Sequence, residues 1–182
     1  LAPFDALESF NRKFVDADSI RLFMVSKPQK LTIKKLPFAF VEISNHPIRD
    51  MGKRKINLDE NIYISGEDAE NIKDGTQIRL LGLGNVTISK INGELIGEFI
   101  ENGNITDIQK IQWVSQKNAH IIKILIPKQL FIDDKFNEDS LEELEAYTEP
   151  HYLQLKDGEE IQFVRFGYCR KDSQNQAIFT HK

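Results

Sequence analysis

From Ile20 onward, apolar residues fall at every second position in short runs that Gly, Asn, Asp and Pro keep interrupting. Arg21-Leu22-Phe23-Met24-Val25 is one such run, closed by Lys27-Pro28, and Lys30-Leu31-Thr32-Ile33-Lys34 is the next. A period of two belongs to a strand, whose successive side chains point to opposite faces. The series continues over 38–43, 55–58, 61–64, 76–81, 85–91, 94–100, 110–114 and 121–126. It ends with 144–147, 152–155, 160–169 and 177–180, and Asn92-Gly93, Asn102-Gly103 and Lys156-Asp157-Gly158-Glu159 read as turns. Short strands with turn signals about every 8–12 residues predict an all-β sandwich or barrel. Roughly a dozen strands exceed what one small barrel uses, so two β-barrels are expected. No internal repeat is evident along the chain.

Two short helices interrupt this pattern. Phe4, Leu7, Phe10, Asn11 and Phe14 follow Pro3 at helical spacing, an amphipathic helix too short to stand alone in water. Ser65-Gly66-Glu67-Asp68 reads as a helix cap with acids in the first turn, and that helix must end by Asp74-Gly75.

Composition excludes several classes. No apolar run approaches the roughly 20 residues of a helical membrane span, so no membrane partner is expected. A single cysteine, Cys169, excludes an internal disulfide framework and fits a reducing, cytoplasmic setting. His46, His120, His151 and His181 are scattered without zinc spacing, so no metal ligand is assigned. Leu1-Ala2-Pro3-Phe4-Asp5 has neither an initiating Met nor the basic region of a signal peptide, as expected of a fragment of a longer protein.

The net charge of −4 argues against a generic polyanion binder, but the charge is unevenly spread. Nine Lys or Arg face two acids between residues 19 and 55, whereas 133–149 holds eight acids and one base. Such polarity can orient a polyanion, and two solvated faces of opposite sign would read the same way.

A catalytic constellation is missing from this reading. Leu81-Gly82-Leu83-Gly84 lacks the Lys of a phosphate loop and reads as a β-turn. Glu142, Glu143 and Glu145 read as a solvated face. Recognition signals are better. In 160–170, Gln162 and Arg165 interleave with Phe163, Phe166 and Tyr168. Amide and guanidinium groups read base edges, and aromatic faces stack on unpaired bases, as single-stranded RNA requires. Gln162 and Arg165 lie three apart, so a bulge or barrel rim near 163–165 must re-aim one of them if both serve one ligand. The loop 45–54, with His46, Arg49, Lys53 and Arg54, offers groups able to meet phosphate. Trp113 reads as a core residue on a strand.

Several segments, in order, resemble the C-terminal anticodon-binding region of class I glutamyl- and glutaminyl-tRNA synthetases. They are Asn11-Arg12-Lys13, 21–28, Asn45-His46-Pro47 with Met51-Gly52-Lys53-Arg54, Ile62-Tyr63-Ile64, Ile78-Arg79-Leu80 and Ile111-Gln112-Trp113-Val114-Ser115. Residues 137–141, Ala146-Tyr147-Thr148-Glu149-Pro150 and 161–168 complete the set. The short segment 65–75 and the terminal Ile178-Phe179-Thr180-His181-Lys182 look more like an archaeal glutamyl than a bacterial glutaminyl enzyme.

The resemblance implies two barrels with exchanged N-terminal strands: a helical remnant of a catalytic half over 1–19, a first barrel over 20–115 and a second over 116–182. Strand 20–26 of the first would lie in the second. It also implies that an anticodon loop lies between the barrels with its bases splayed. By position, Arg21 and Gln162 would contact the central uridine, Arg79 the first base or its phosphate, and Arg165 the third base. Lys27, His46, Arg49, Lys53 and Arg54 would meet the tRNA backbone. The parent would be an ATP-dependent glutamate-tRNA ligase. This part would hold no catalytic site and no cofactor, with ATP and Mg acting in the missing catalytic domain. Its partner would be tRNA for Glu, with tRNA for Gln as a further candidate. The alternatives are a glutaminyl enzyme, a ribosomal RNA-binding barrel, and a protein-docking module built on the acidic 133–149 portion.

Overall fold

The structure, a computed structural model, describes residues 15–16, 19–101 and 108–182. The helix expected over 4–15 and the Asn102-Gly103 turn lie outside the described residues, Val15 apart.

Strands dominate, as the period-two pattern predicts. The first half runs β1 (Ile20–Leu22), β2 (Met24–Ser26), β3 (Gln29–Lys34), β4 (Phe40–Ser44), β5 (Lys53–Asn57) and β6 (Asn61–Ile64). Helix α1 (Gly66–Asn71) follows, then β7 (Gln77–Leu80), β8 (Gly84–Ile91) and β9 (Glu94–Ile100). The second half runs β10 (Gln109–Ile111), β11 (Val114–Ser115), β12 (His120–Pro127), β13 (Phe131–Ile132), β14 (Lys135–Phe136) and β15 (Leu141–Thr148). It closes with β16 (Glu160–Phe163), β17 (Gly167–Ser173) and β18 (Gln176–His181). Ser65 caps α1 as read from the sequence, its side chain accepting from the Asp68 amide.

Two expectations are corrected. Residues 152–155 are not a strand: Pro150–Gln154 forms a 3₁₀ turn, with Pro150 at its start and Tyr152 fully buried. Residues 160–169 are not one strand either, because 164–166 turn between β16 and β17.

Fourteen of these strands form two seven-stranded sheets, ordered β1-β16-β17-β18-β12-β15-β2 and β10-β7-β8-β9-β3-β6-β11, and β4–β5 and β13–β14 pair as separate hairpins. In each, both edge strands come from one continuous segment, 20–26 in one and 109–115 in the other, broken at Phe23 and at Gln112-Trp113. One bent segment thereby closes each sheet into a barrel and leaves no long unpaired edge. Each closing segment precedes the body of the other barrel, so the two are reciprocally exchanged.

The sheets are also copies of one another, which corrects the expectation of no repeat. β1 and β10 pair in parallel with β16 and β7. β2 and β11 pair antiparallel with β15 and β6, and β12 and β3 pair in parallel with β18 and β9. Ile72-Lys73-Asp74-Gly75 corresponds to Leu155-Lys156-Asp157-Gly158, and Leu81-Gly82-Leu83-Gly84 to Val164-Arg165-Phe166-Gly167. What the copies share is backbone demand: φ is 73° and 90° at Gly75 and Gly158, and 147° and 149° at Gly84 and Gly167.

Alternation along the exchanged segment stitches the barrels together. Leu22 and Met24 enter the core of the second barrel, while Phe23 and Val25 enter the core of the first. Phe23 lies 6.2 Å from the Trp113 ring, and Tyr147 meets Tyr63 edge-on at 5.2 Å. Trp113 is fully buried and donates its Nε1–H to the Leu81 carbonyl. At the break, the Phe23 N–H donates to Glu149 and its carbonyl accepts from Thr148, so neither backbone group is left unpaired.

Candidate nucleic-acid interface

Arg21 and Gln162 are register partners on the parallel β1–β16 ladder and therefore share a face. Arg21 donates from Nη2 to Asp16 at 3.1 Å, and the Tyr168 hydroxyl donates to the same carboxylate oxygen. The Tyr168 hydrogen bond, followed by the Arg21 guanidinium, holds the Asp16 carboxyl below its ordinary range against some burial. Arg21 Nε and Gln162 Oε1 are buried without a hydrogen-bond partner. A donor and an acceptor left over on neighbouring strands form a site for a ligand carrying the complement.

A turn at 164–166 stands where a bulge or barrel rim near 163–165 is required if Gln162 and Arg165 serve one ligand. β16 ends at Phe163, and Arg165 sits in the turn with left-handed backbone, φ 64°. That conformation costs a non-glycine residue roughly 1–2 kcal/mol. The guanidinium forks onto Asp68 of α1, with Nη1 to Oδ2 at 2.8 Å and Nη2 to Oδ1 at 2.9 Å. Arg165 thus joins the second barrel to the first, while lining one cleft with Gln162.

Arg79 is a register partner of Lys110 and donates from Nε to Asn85 at 2.9 Å. It lines a cleft of about 580 Å³ with Phe38, Leu80, Gly82, Leu83 and Asn85. A second cleft of about 390 Å³ is lined by Gln162, Phe163, Arg165, Phe166, Gly167 and Tyr168. These are the same positions of the duplicated fold, so the two clefts are two copies of one site. Arg79 in one stands where Gln162 stands in the other.

Of the residues expected to meet an RNA backbone, Lys27, Arg49 and Lys53 are exposed. Arg54 is not placed to do so: it is 3% exposed, and its Nε donates to Glu149 while Nη1 donates to the Ser44 carbonyl. Its guanidinium also lies over the Phe23 ring. His46 is likewise internal, 5% exposed, with Nδ1 accepting the Ile48 and Arg49 amides. Both polar side chains hold the β4–β5 hairpin in place. Sequence reasoning missed Asp16, Asp68, Tyr168 and Glu149 as partners of these groups. Asp68 was legible only as a helix-cap acid, and Glu149 only as part of an acidic run and of the resembling segment 146–150.

Residues 19–106 match the family model described as tRNA synthetases class I (E and Q), anti-codon binding domain, and residues 110–172 match a second model of that description. This chain belongs to that family of anticodon-binding domains. It is 70% identical over 182 residues to the glutamate–tRNA ligase of Nitrosopumilus maritimus, covering 100% of the chain and 32% of the relative. It is 48% identical to that of Cenarchaeum symbiosum, again over 100% of the chain and 32% of the relative. With that of Korarchaeum cryptofilum the figures are 33% identity, 96% of the chain and 30% of the relative. The chain therefore spans about a third of the length of the relatives it matches. In this anticodon-binding domain the two matched segments correspond to the two repeats, each of which lends its first strands to the barrel of the other, and the duplicated clefts lie one in each barrel.

Proposed function

We propose that this chain is the anticodon-reading part of an archaeal-type glutamate–tRNA ligase. The rest of the longer protein binds ATP and Mg and joins glutamate to tRNA in the cytoplasm, while these barrels supply binding energy and identity. Residues 20–115 and 116–182 act as the two units, with 20–26 lent to the second. tRNA for Glu is the substrate, and tRNA for Gln, which shares the middle uridine, is a second candidate.

The observation carrying this reading is the pair of unpartnered atoms on the β1–β16 ladder, Arg21 Nε and Gln162 Oε1. A splayed uracil presents an N–H between two carbonyls, so Gln162 accepts from the base and Arg21 donates to it. Arg79 in the equivalent cleft of the first barrel serves the first anticodon base or its phosphate, and Arg165 the third base. Lys27, Arg49 and Lys53 follow the phosphates of the loop.

Footprinting of tRNA on the full-length protein tests this. Protection of the anticodon loop, lost when the middle uridine is replaced, is the expected result. Protection confined to a ribosomal RNA helix, or indifference to the middle base, would overturn it.

A further inference from the structure

In the loop joining β4 to β5, Pro47, Ile48, Arg49 and Asp50 stand in solvent, whereas Asn45 and His46 at its root are buried. Exposed loops are mobile unless their roots are tied. Asn45 supplies one tie, its N–H donating to the Gly52 carbonyl and its Nδ2 to the Met51 carbonyl. The His46 ring supplies the other. Its Nδ1 accepts the Ile48 and Arg49 amides at 3.1 and 2.9 Å, the bonds that an Asn side chain makes to the residues following it in a turn. An imidazole nitrogen that accepts two amides carries no proton, so Nε2 is the donor. It donates to the Asp16 carbonyl at 3.1 Å.

The same root touches the Arg21 site twice. The Arg21 N–H donates to the Asn45 carbonyl at 2.7 Å, which fixes the backbone from which the side chain starts. Asp16, whose carbonyl His46 holds, is the carboxylate that takes the Arg21 guanidinium, with the Tyr168 hydroxyl on the same oxygen. The Arg21 side chain is long and partly exposed, so the direction of its Nε depends on that carboxylate staying in place. One imidazole therefore stands between the Arg49 amide, at the base of an exposed cation, and the residue that aims Arg21.

We propose that His46 is a positioning residue that couples phosphate contact at Arg49 to reading of the middle base by Arg21. A phosphate held by Arg49 stills the loop, and the stilled loop holds the ring that holds Asp16. Coupling is reciprocal, so the right base at Arg21 also tightens the grip of the loop on the phosphate. This rests on the anticodon reading above and deepens it, because it makes a backbone contact part of the sequence code. An uncoupled phosphate contact would weaken every sequence alike when removed.

The test is binding of the full-length protein to anticodon stem-loop RNAs with uridine or cytosine at the middle position, read as the ratio of the two affinities. Arg49→Ala, at an exposed position, should weaken both RNAs and also lower the ratio about fivefold. His46→Asn keeps an acceptor for the loop amides and loses the donor to Asp16. It should lower the ratio about fivefold while binding of the cytosine RNA stays within about twofold of wild type. Adding Arg49→Ala to it should then weaken both RNAs alike, with no further fall in the ratio. If His46→Asn lowers the melting temperature, Arg49→Ala alone decides. An unchanged ratio in either variant that melts as the wild type does overturns the inference. A wild-type preference for uridine that survives such a variant sinks the coupling alone. Absence of that preference in the wild type sinks the anticodon reading with it.

Discussion

Gly82 and Arg165 occupy one position in two copies of a turn, with left-handed φ of 71° and 64°. Glycine adopts that backbone freely, whereas arginine does so at roughly 1–2 kcal/mol. The copy that retains the cost is the one whose side chain lines a cleft and grips the other barrel. Strain of this kind, seen against an unstrained twin, marks a residue kept for what it touches.

The glycines of the same repeat differ in how much they are needed. A Cβ on Gly167 would lie 2.8 Å from the His181 carbonyl oxygen, whereas one on Gly158 would meet nothing within 4 Å. Gly158→Ala should cost about 1 kcal/mol from its backbone alone, and Gly167→Ala at least about twice that. Urea unfolding of the two variants side by side measures the difference.

Arg54 and Lys53 are neighbours with opposite expected phenotypes. Arg54→Ala strands the buried Glu149 carboxylate and should cost about 3–5 kcal/mol of stability. Lys53 is exposed, so Lys53→Ala should leave the melting temperature unchanged and weaken tRNA binding, more so at low salt. Thermal melts paired with binding isotherms at two salt concentrations check both.

Arg21→Ala and Gln162→Leu should each weaken tRNA binding by about 1–3 kcal/mol, and the double variant by less than the sum. Both losses should vanish on a tRNA whose middle anticodon uridine has been replaced. A double-mutant cycle with both RNAs reads the coupling directly, and full additivity would place the two residues in separate sites.

Glu160 gives a pH dependence with a fixed sign. Burial raises its carboxyl above the ordinary value of 4.5, with Arg170 opposing, and its Oε2 is buried without a partner. The folded state therefore holds the proton to higher pH than the unfolded chain, and stability falls as pH rises upward from 4.5. Glu160→Gln should raise the melting temperature at pH 7, with the gain shrinking to nothing as pH is lowered through that window. Differential scanning calorimetry across the range shows it.

Period-two alternation in short runs determined the all-β class, and strand count alone required two barrels, because side-chain direction along a strand is a local property. Ser65 as a helix cap was legible for the same reason, being set by a few consecutive residues, whereas 160–169 reads as one strand although 164–166 turns. Pro150–Gln154 was misread as a strand because Tyr152-Leu153-Gln154-Leu155 alternates, and only packing of the buried Tyr152 decides otherwise. The duplication stayed hidden because, beyond a shared Lys-Asp-Gly turn, what the copies have in common is mainly backbone geometry, which Gly82 and Arg165 satisfy with unlike side chains. Which cations are free to meet RNA was decided by tertiary structure alone. Arg54 and Lys53 are adjacent in sequence and alike in charge, yet a partner 95 residues away buries one and leaves the other in water. Charge is written in the chain, but desolvation depends on what the fold brings alongside it.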